Sequence, residues 1–96
     1  MTPDVFISHS SRDKAAADAV CAALEAAGVG CWIAPRDIPP GMEWSSAIIG
    51  ALRQSRLLLL LFTAASNQSP QVLREVERAV SLRQPIVTLK LENATL

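Results

Sequence analysis

Two carboxylates stand close together in the stretch "SNQSPQVLREVERAV", residues 66–80. Glu75 and Glu77 share it with Arg74 and Arg78, and Arg83 follows just beyond. An acid facing a water-poor crevice can stabilise positive charge as it develops in a reaction. The same acid on an open helix face is a solvated charge near an arginine, worth little. The apolar series Val72, Leu73, Val76, Ala79 and Val80 predicts a buried helical stripe. At about 100° per residue the two glutamates fall on opposite flanks of it, neither in the core. Glu75 lies nearer the helix start, whereas Glu77 has Arg74 at i−3 and Ser81 at i+4. Spacing ranks Glu75 above Glu77 and leaves both compatible with ordinary surface acids.

Other chemistries lack their residues. There is no GxGxxG or GxxxxGK[ST] phosphate loop and no G-x-S-x-G elbow. A phosphoacceptor site would need acids after the first strand and at the end of the third, where the chain has "SHSS" and "TAAS". The lone His9 has no nucleophile partner and reads as a rim or packing residue. Cys21 and Cys31 lie in apolar surroundings without CxxC spacing, which predicts a reduced pair and no metal site.

The elements that must position Glu75 follow from periodicity. "DVFIS", residues 4–8, reads as a strand, and Ser10 with Asp13 as a capping box opening a helix. That helix shows apolar residues at Ala16, Ala19, Val20, Ala23, Leu24 and Ala27, and Gly28 is its expected stop. "GCWIA" is a second strand, and "PRDIPPGME" a loop with three prolines and a glycine. A second helix from about Glu43 carries Trp44, Ala47, Ile48, Ala51 and Leu52 on one stripe. "RLLLLLFT" is a third strand, and Ser69 caps a third helix with Pro70 at its first position. "PIVTLKLEN", residues 85–93, is a fourth strand whose alternation suggests a half-wet edge.

Strand–helix alternation predicts an α/β, flavodoxin-like parallel sheet in the order 2-1-3-4 with helices on both faces. The expectation is one domain over residues 1–96, lacking the last helix and strand of a full doubly wound domain. A ligand would sit beyond the carboxyl ends of strands one and three, rimmed by Ser8, His9, Ser10, Thr63 and the loop "AASNQS". The third helix would point its N-terminal dipole there. Half of the chain is hydrophobic and 19% charged, with zero formal net charge and no basic stripe. Nucleic acid and anionic membrane are therefore poor partners. The apolar run "LLLLLF" is too short to span a bilayer, and no signal peptide is read at the start, so the expected location is cytoplasmic.

Three segments, in order, resemble the Toll/interleukin-1 receptor (TIR) domain family. "DVFISHSSRDKA" resembles its first strand and polar loop. "CWIAPRDIPPGMEWSSAI" resembles its second strand and following BB loop, in the bacterial form R-D-I-x-x-G-x-x-W-x-x-x-I. "LLLLLFTAASNQSPQVLREVERAV" resembles its third strand and the helix bearing the functional glutamate. Many members cleave NAD between nicotinamide and ribose; others only associate with one another. Laid residue by residue, the essential glutamate falls on Glu75. The chain departs from the pattern at Gln71-Val72, where many members have Trp-Cys. Phe6, Ser8, Arg36, Asp37 and Trp44 fall where members line or cover the nucleotide crevice.

The resemblance implies NAD as a substrate, with no cofactor and no metal. It also implies self-association through the 34–44 loop, a fused or partner sensor domain, and a role in bacterial antiphage defence. Nicotinamide leaves as a neutral molecule from a cationic precursor, so one acid suffices to meet the oxocarbenium-like charge on the ribose. Two rival readings stay open. One is a non-catalytic interaction module, favoured by the missing Trp. The other is a nucleoside deoxyribosyltransferase-like protein with a carboxylate at the sugar, disfavoured by "PRDIPPG".

Overall fold

The computed structural model describes residues 3–91. Its strands are β1 (Val5–Ser8), β2 (Cys31–Ile33), β3 (Leu57–Phe62) and β4 (Ile86–Lys90). They form one parallel sheet in the order β2-β1-β3-β4, the order expected from the sequence. Helices α1 (Lys14–Ala26), α2 (Trp44–Gln54), α3 (Ala64–Asn67) and α4 (Pro70–Ser81) connect them.

Side chains alternate across the sheet, so each strand feeds two cores. Val5, Ile7, Cys31, Ile33 and Leu61 pack with Ala17 and Cys21 of α1. Phe6 and Leu58 pack on the other face with Ile48, Ala51 and Leu52 of α2 and Ala79 of α4. The pairing of β1 with β3 sets Phe6 opposite Leu58 and Ser8 opposite Leu60. Ser8 therefore points to the α2/α4 side.

Local chemistry explains the element ends, with several departures from expectation. Ser10 accepts from the Arg12 N–H and opens a short 3-10 turn, Ser11–Asp13, before α1 begins. Asp13 does not complete the capping box. Its carboxylate instead accepts from the Thr63 hydroxyl at 2.6 Å. Gly28 takes the left-handed conformation (φ 86°) that stops the helix. The buried face of α1 is Ala17 and Cys21 flanked by Val20 and Leu24, while Ala19, Ala23 and Ala27 are exposed. Alanines surround this helix, so the larger side chains choose its inner face.

The segment after β3 is not a plain loop. Thr63 and Ser66 cap each other reciprocally and wind α3. Ser69 then accepts from the Val72 N–H and opens α4, with Pro70 in its first turn. The end of α2 is sealed by Gln84, whose amide donates to the carbonyls of Leu52 and Ser55. The expected alternation of β4 is absent: Val87 to Lys90 are all exposed, on both faces. Positions 92 and 93 of the expected fourth strand lie outside the described residues. Cys21 and Cys31 are free, buried thiols, and burial pushes the Cys31 thiol up to about 11.

Candidate active site

The inner face of α4 differs from the stripe expected. Val72, Glu75 and Ala79 are buried and Val76 partly so, a series i, i+3, i+4, i+7. Leu73 and Val80 are exposed. The helix is thus rotated so that an acid takes a core position. Glu75 is only 5% exposed, which corrects the reading of it as a flanking, non-core residue. Glu77 remains on the surface.

What makes room for an acid there is the end of β1. Ser8 is fully buried and donates its hydroxyl to Glu75 Oε1 at 2.7 Å. Gln71, one turn earlier on α4, donates its side-chain amide to Oε2 across a long 3.4 Å. Burial pushes the Glu75 carboxyl above the ordinary range. The Ser8 and Gln71 hydrogen bonds and the nearby His9 oppose that rise. One oxygen is therefore firmly anchored, and the other is held loosely.

Glu75 lines a cleft of about 240 Å³ with Ile7, His9, Ser11, Lys14, Ala34, Pro35, Trp44 and Gln71. This cleft opens beyond the carboxyl ends of β1 and β2, beside the first turns of α4. It lies at the carboxyl edge of the sheet, as the fold class requires of ligands, but on the β1/β2 side rather than between β1 and β3, and its walls differ from the rim expected. His9 lines it and Ser8 anchors its acid. Thr63 and residues 64–69 turn away into α3. Ser66 to Pro70 instead border a second, apolar hollow of about 350 Å³ with Leu60, Phe62, Val72 and Leu73.

The residues marked by resemblance separate into two groups. Ser8, Trp44 and Glu75 converge on the cleft, Ser8 through its bond to the acid. Phe6, Arg36 and Asp37 do not line it. Phe6 is buried in the core, its ring stacked on Trp32 at 5.0 Å. Arg36 grips Glu25 of α1 with two 2.9 Å bonds and also bonds Asp37. Asp37 accepts from the Ile33 N–H at 2.9 Å. This pair fastens the base of the 34–44 loop to the β2 edge. Sequence reasoning missed Ile7, Ser11, Lys14 and Gln71 as cleft residues. Gln71 had a legible signal, because a residue at i−4 shares its helix face with Glu75.

A sequence model of the TIR domain matches residues 5–96. The chain belongs to the TIR domain family. No curated protein matches it in sequence. Among solved structures, it is similar to the TIR domain of the Toll-related receptor TRR-2 from Hydra magnipapillata, with a TM-score of 0.88 at 19% identity. That match covers 99% of this chain and 75% of the Hydra chain. A metazoan TIR-STING receptor from C. gigas matches with a TM-score of 0.77 at 26% identity, over 95% of this chain and 31% of the receptor. The TIR domains of the activated Roq1 resistosome, which recognises the pathogen effector XopQ, match with a TM-score of 0.78 at 20% identity. There the alignment covers 90% of this chain and 55% of that one. Among the described residues of this TIR domain, no helix is long and apolar enough to cross a membrane, and no cluster of three or more His, Cys, Asp or Glu could hold a metal ion.

Proposed function

We propose that this TIR domain is an NAD glycohydrolase that cleaves the bond between nicotinamide and ribose, with Glu75 as its catalytic residue. The observation that carries the reading is the buried acid at a core position of α4, braced by Ser8 and open to a cleft. A structural side chain at that position would be apolar, since burying a carboxylate costs free energy. Function is the economical reason to keep one there.

The chemistry follows from the surroundings. As the C–N bond to nicotinamide stretches, its electron pair moves to the ring nitrogen, and positive charge grows on the ribose. The ionised carboxylate of Glu75 faces that charge. With little water to screen it, the attraction is stronger than at a surface. Water then attacks the anomeric carbon and gives ADP-ribose; an internal nucleophile on the adenine would give a cyclic relative. No general acid is needed, because nicotinamide departs neutral. The test is nicotinamide release from NAD by concentrated or artificially clustered protein. Glu75→Gln should lower it by at least a hundredfold while the fold is retained. A folded variant with full activity removes the proposal.

Self-association through the 34–44 loop is part of the same proposal. Pro39, Pro40 and Gly41 form its exposed tip, and Met42 and Trp44 are about half exposed. The base is pinned by Arg36 and Asp37, so the loop is presented at low entropic cost. A partner or fused sensor domain would trigger assembly, in the manner of an antiphage effector. The second reading, a non-catalytic interaction module, is favoured by Gln71 in place of an aromatic residue. Absence of NAD cleavage by the clustered wild-type protein would select it.

A further inference from the structure

The cleft that holds the acid is also lined by a tryptophan, Trp44. Trp44 belongs to the apolar stripe of α2, yet it is 52% exposed while Ala47, Ile48, Ala51 and Leu52 are buried. A single exposed aromatic residue is unremarkable on its own. This one shares a cleft with a carboxylate that is itself almost completely buried. It is the only indole among the residues lining that cleft; the other ring, the His9 imidazole, has both nitrogens held against the carbonyls of Ser10 and Ala34.

The two groups ask for the same property in a ligand. An indole face attracts cations through its quadrupole, more strongly than phenylalanine or tyrosine does. A desolvated carboxylate gains most when a positive charge comes alongside it. The one ammonium lining the cleft, Lys14, is engaged with Asp18 at 2.7 Å. A neutral ring would keep the stacking contact and forfeit both electrostatic gains. An anionic ring would be repelled by the acid.

We infer that Trp44 is a specificity-determining residue: together with Glu75 it makes the cleft select a planar heteroaromatic cation over the neutral ring of the same shape. Discrimination on the order of 3- to 30-fold is expected from the cation–π contribution at a partly desolvated site. The pyridinium of oxidised NAD has this character, and the dihydropyridine of the reduced dinucleotide does not. Naming NAD as the natural ligand rests on the proposed activity. The charge selectivity does not, so the two can fail separately.

The test uses 1-methylnicotinamide, a permanent cation, and nicotinamide, its neutral counterpart. Each is titrated into the whole chain, and the two indole N–H resonances are followed by NMR. Trp32, stacked on Phe6, serves as the internal reference. The cation should move the Trp44 signal, leave the Trp32 signal in place, and bind at least threefold tighter than nicotinamide. Trp44→Leu should cut the preference by the cation–π share, leaving only what Glu75 supplies, and Trp44→Phe should keep more of it. Trp44 is too exposed for either change to endanger the fold, which the dispersion of the same spectra checks. Equal affinity for the two compounds overturns the inference, as does a preference unchanged in Trp44→Leu. A clear preference in a protein that never cleaves NAD supports the inference while removing the proposed reaction.

Discussion

Replacing Ser8 by alanine removes a 2.7 Å hydrogen bond to a buried carboxylate and leaves Glu75 Oε1 without its donor. Hydrogen bonds to charged groups are worth about 1.5–3 kcal/mol, and the loss should be of that size when Glu75 is ionised. A domain of this length has roughly 5–14 kcal/mol to lose, so the variant should fold. The pH dependence carries the diagnosis. Burial holds the Glu75 carboxyl above the ordinary range, and Ser8 works against that rise. Deleting Ser8 pushes the value higher still. A carboxyl raised in the fold binds its proton more tightly there than in the unfolded chain. Stability therefore falls as pH climbs from the unfolded value, near about 4.3, through the folded one. The deficit of Ser8→Ala against wild type should be small in acid, where Glu75 is protonated in both proteins, and should grow as pH rises through the folded values.

Urea denaturation of four proteins across that range measures it: wild type, Ser8→Ala, Glu75→Gln and the double variant. Glutamine keeps an acceptor for the hydroxyl but carries no charge. In that background Ser8→Ala should cost only about 0.5–1.5 kcal/mol, with no dependence on pH. If Ser8→Ala costs the same in both backgrounds and at both ends of the pH range, the bond does not support a charge, and the account of the site is wrong. Where NAD cleavage is observed, its rise with pH should begin later in Ser8→Ala, because the ionised acid appears later.

Three further outcomes test other parts of the structure. Gln84→Ala removes the amide that seals the end of α2 against Leu52 and Ser55, and should cost about 1–3 kcal/mol in denaturation without altering Glu75 chemistry. Thr63→Val loses both the donor to Asp13 and the cap of α3, and should cost about 1–2 kcal/mol, read as a lowered melting temperature. With burial raising both cysteines, that of Cys31 to about 11, native-state alkylation near about pH 8 should be at least a hundredfold slower than in urea.

The sheet order and element types were legible because they rest on strong periodicities and on crossover handedness. The side of α4 that faces inward was not. An apolar stripe drawn through Leu73 and Val80 is the better hydrophobic pattern, and the structure leaves both of those residues exposed. A burial rule based on polarity excludes an acid from a core position, which is the one place this acid occupies. α1 was misaligned for a different reason: a helix full of alanine has little contrast between faces. α3 was missed because a capping pair three residues apart, Thr63 and Ser66, can wind a single turn inside a stretch that reads as loop. Arg36 and Asp37 were placed in a crevice by motif, whereas their ion pairs hold them at the β2 edge.

The pairing of β1 with β3 makes this chemistry hostage to a count of one. Alternation sends the Ser8 hydroxyl to Glu75, while Ile7 faces the α1 core. Slide that strand by a single position and a hydrocarbon or an imidazole would face the acid, with every core residue of the strand inverted as well. Loss or gain of one residue within β1 is thus a heavier injury than almost any point change. Diversification of this protein should spare the length of that strand and spend itself on the loops around the cleft.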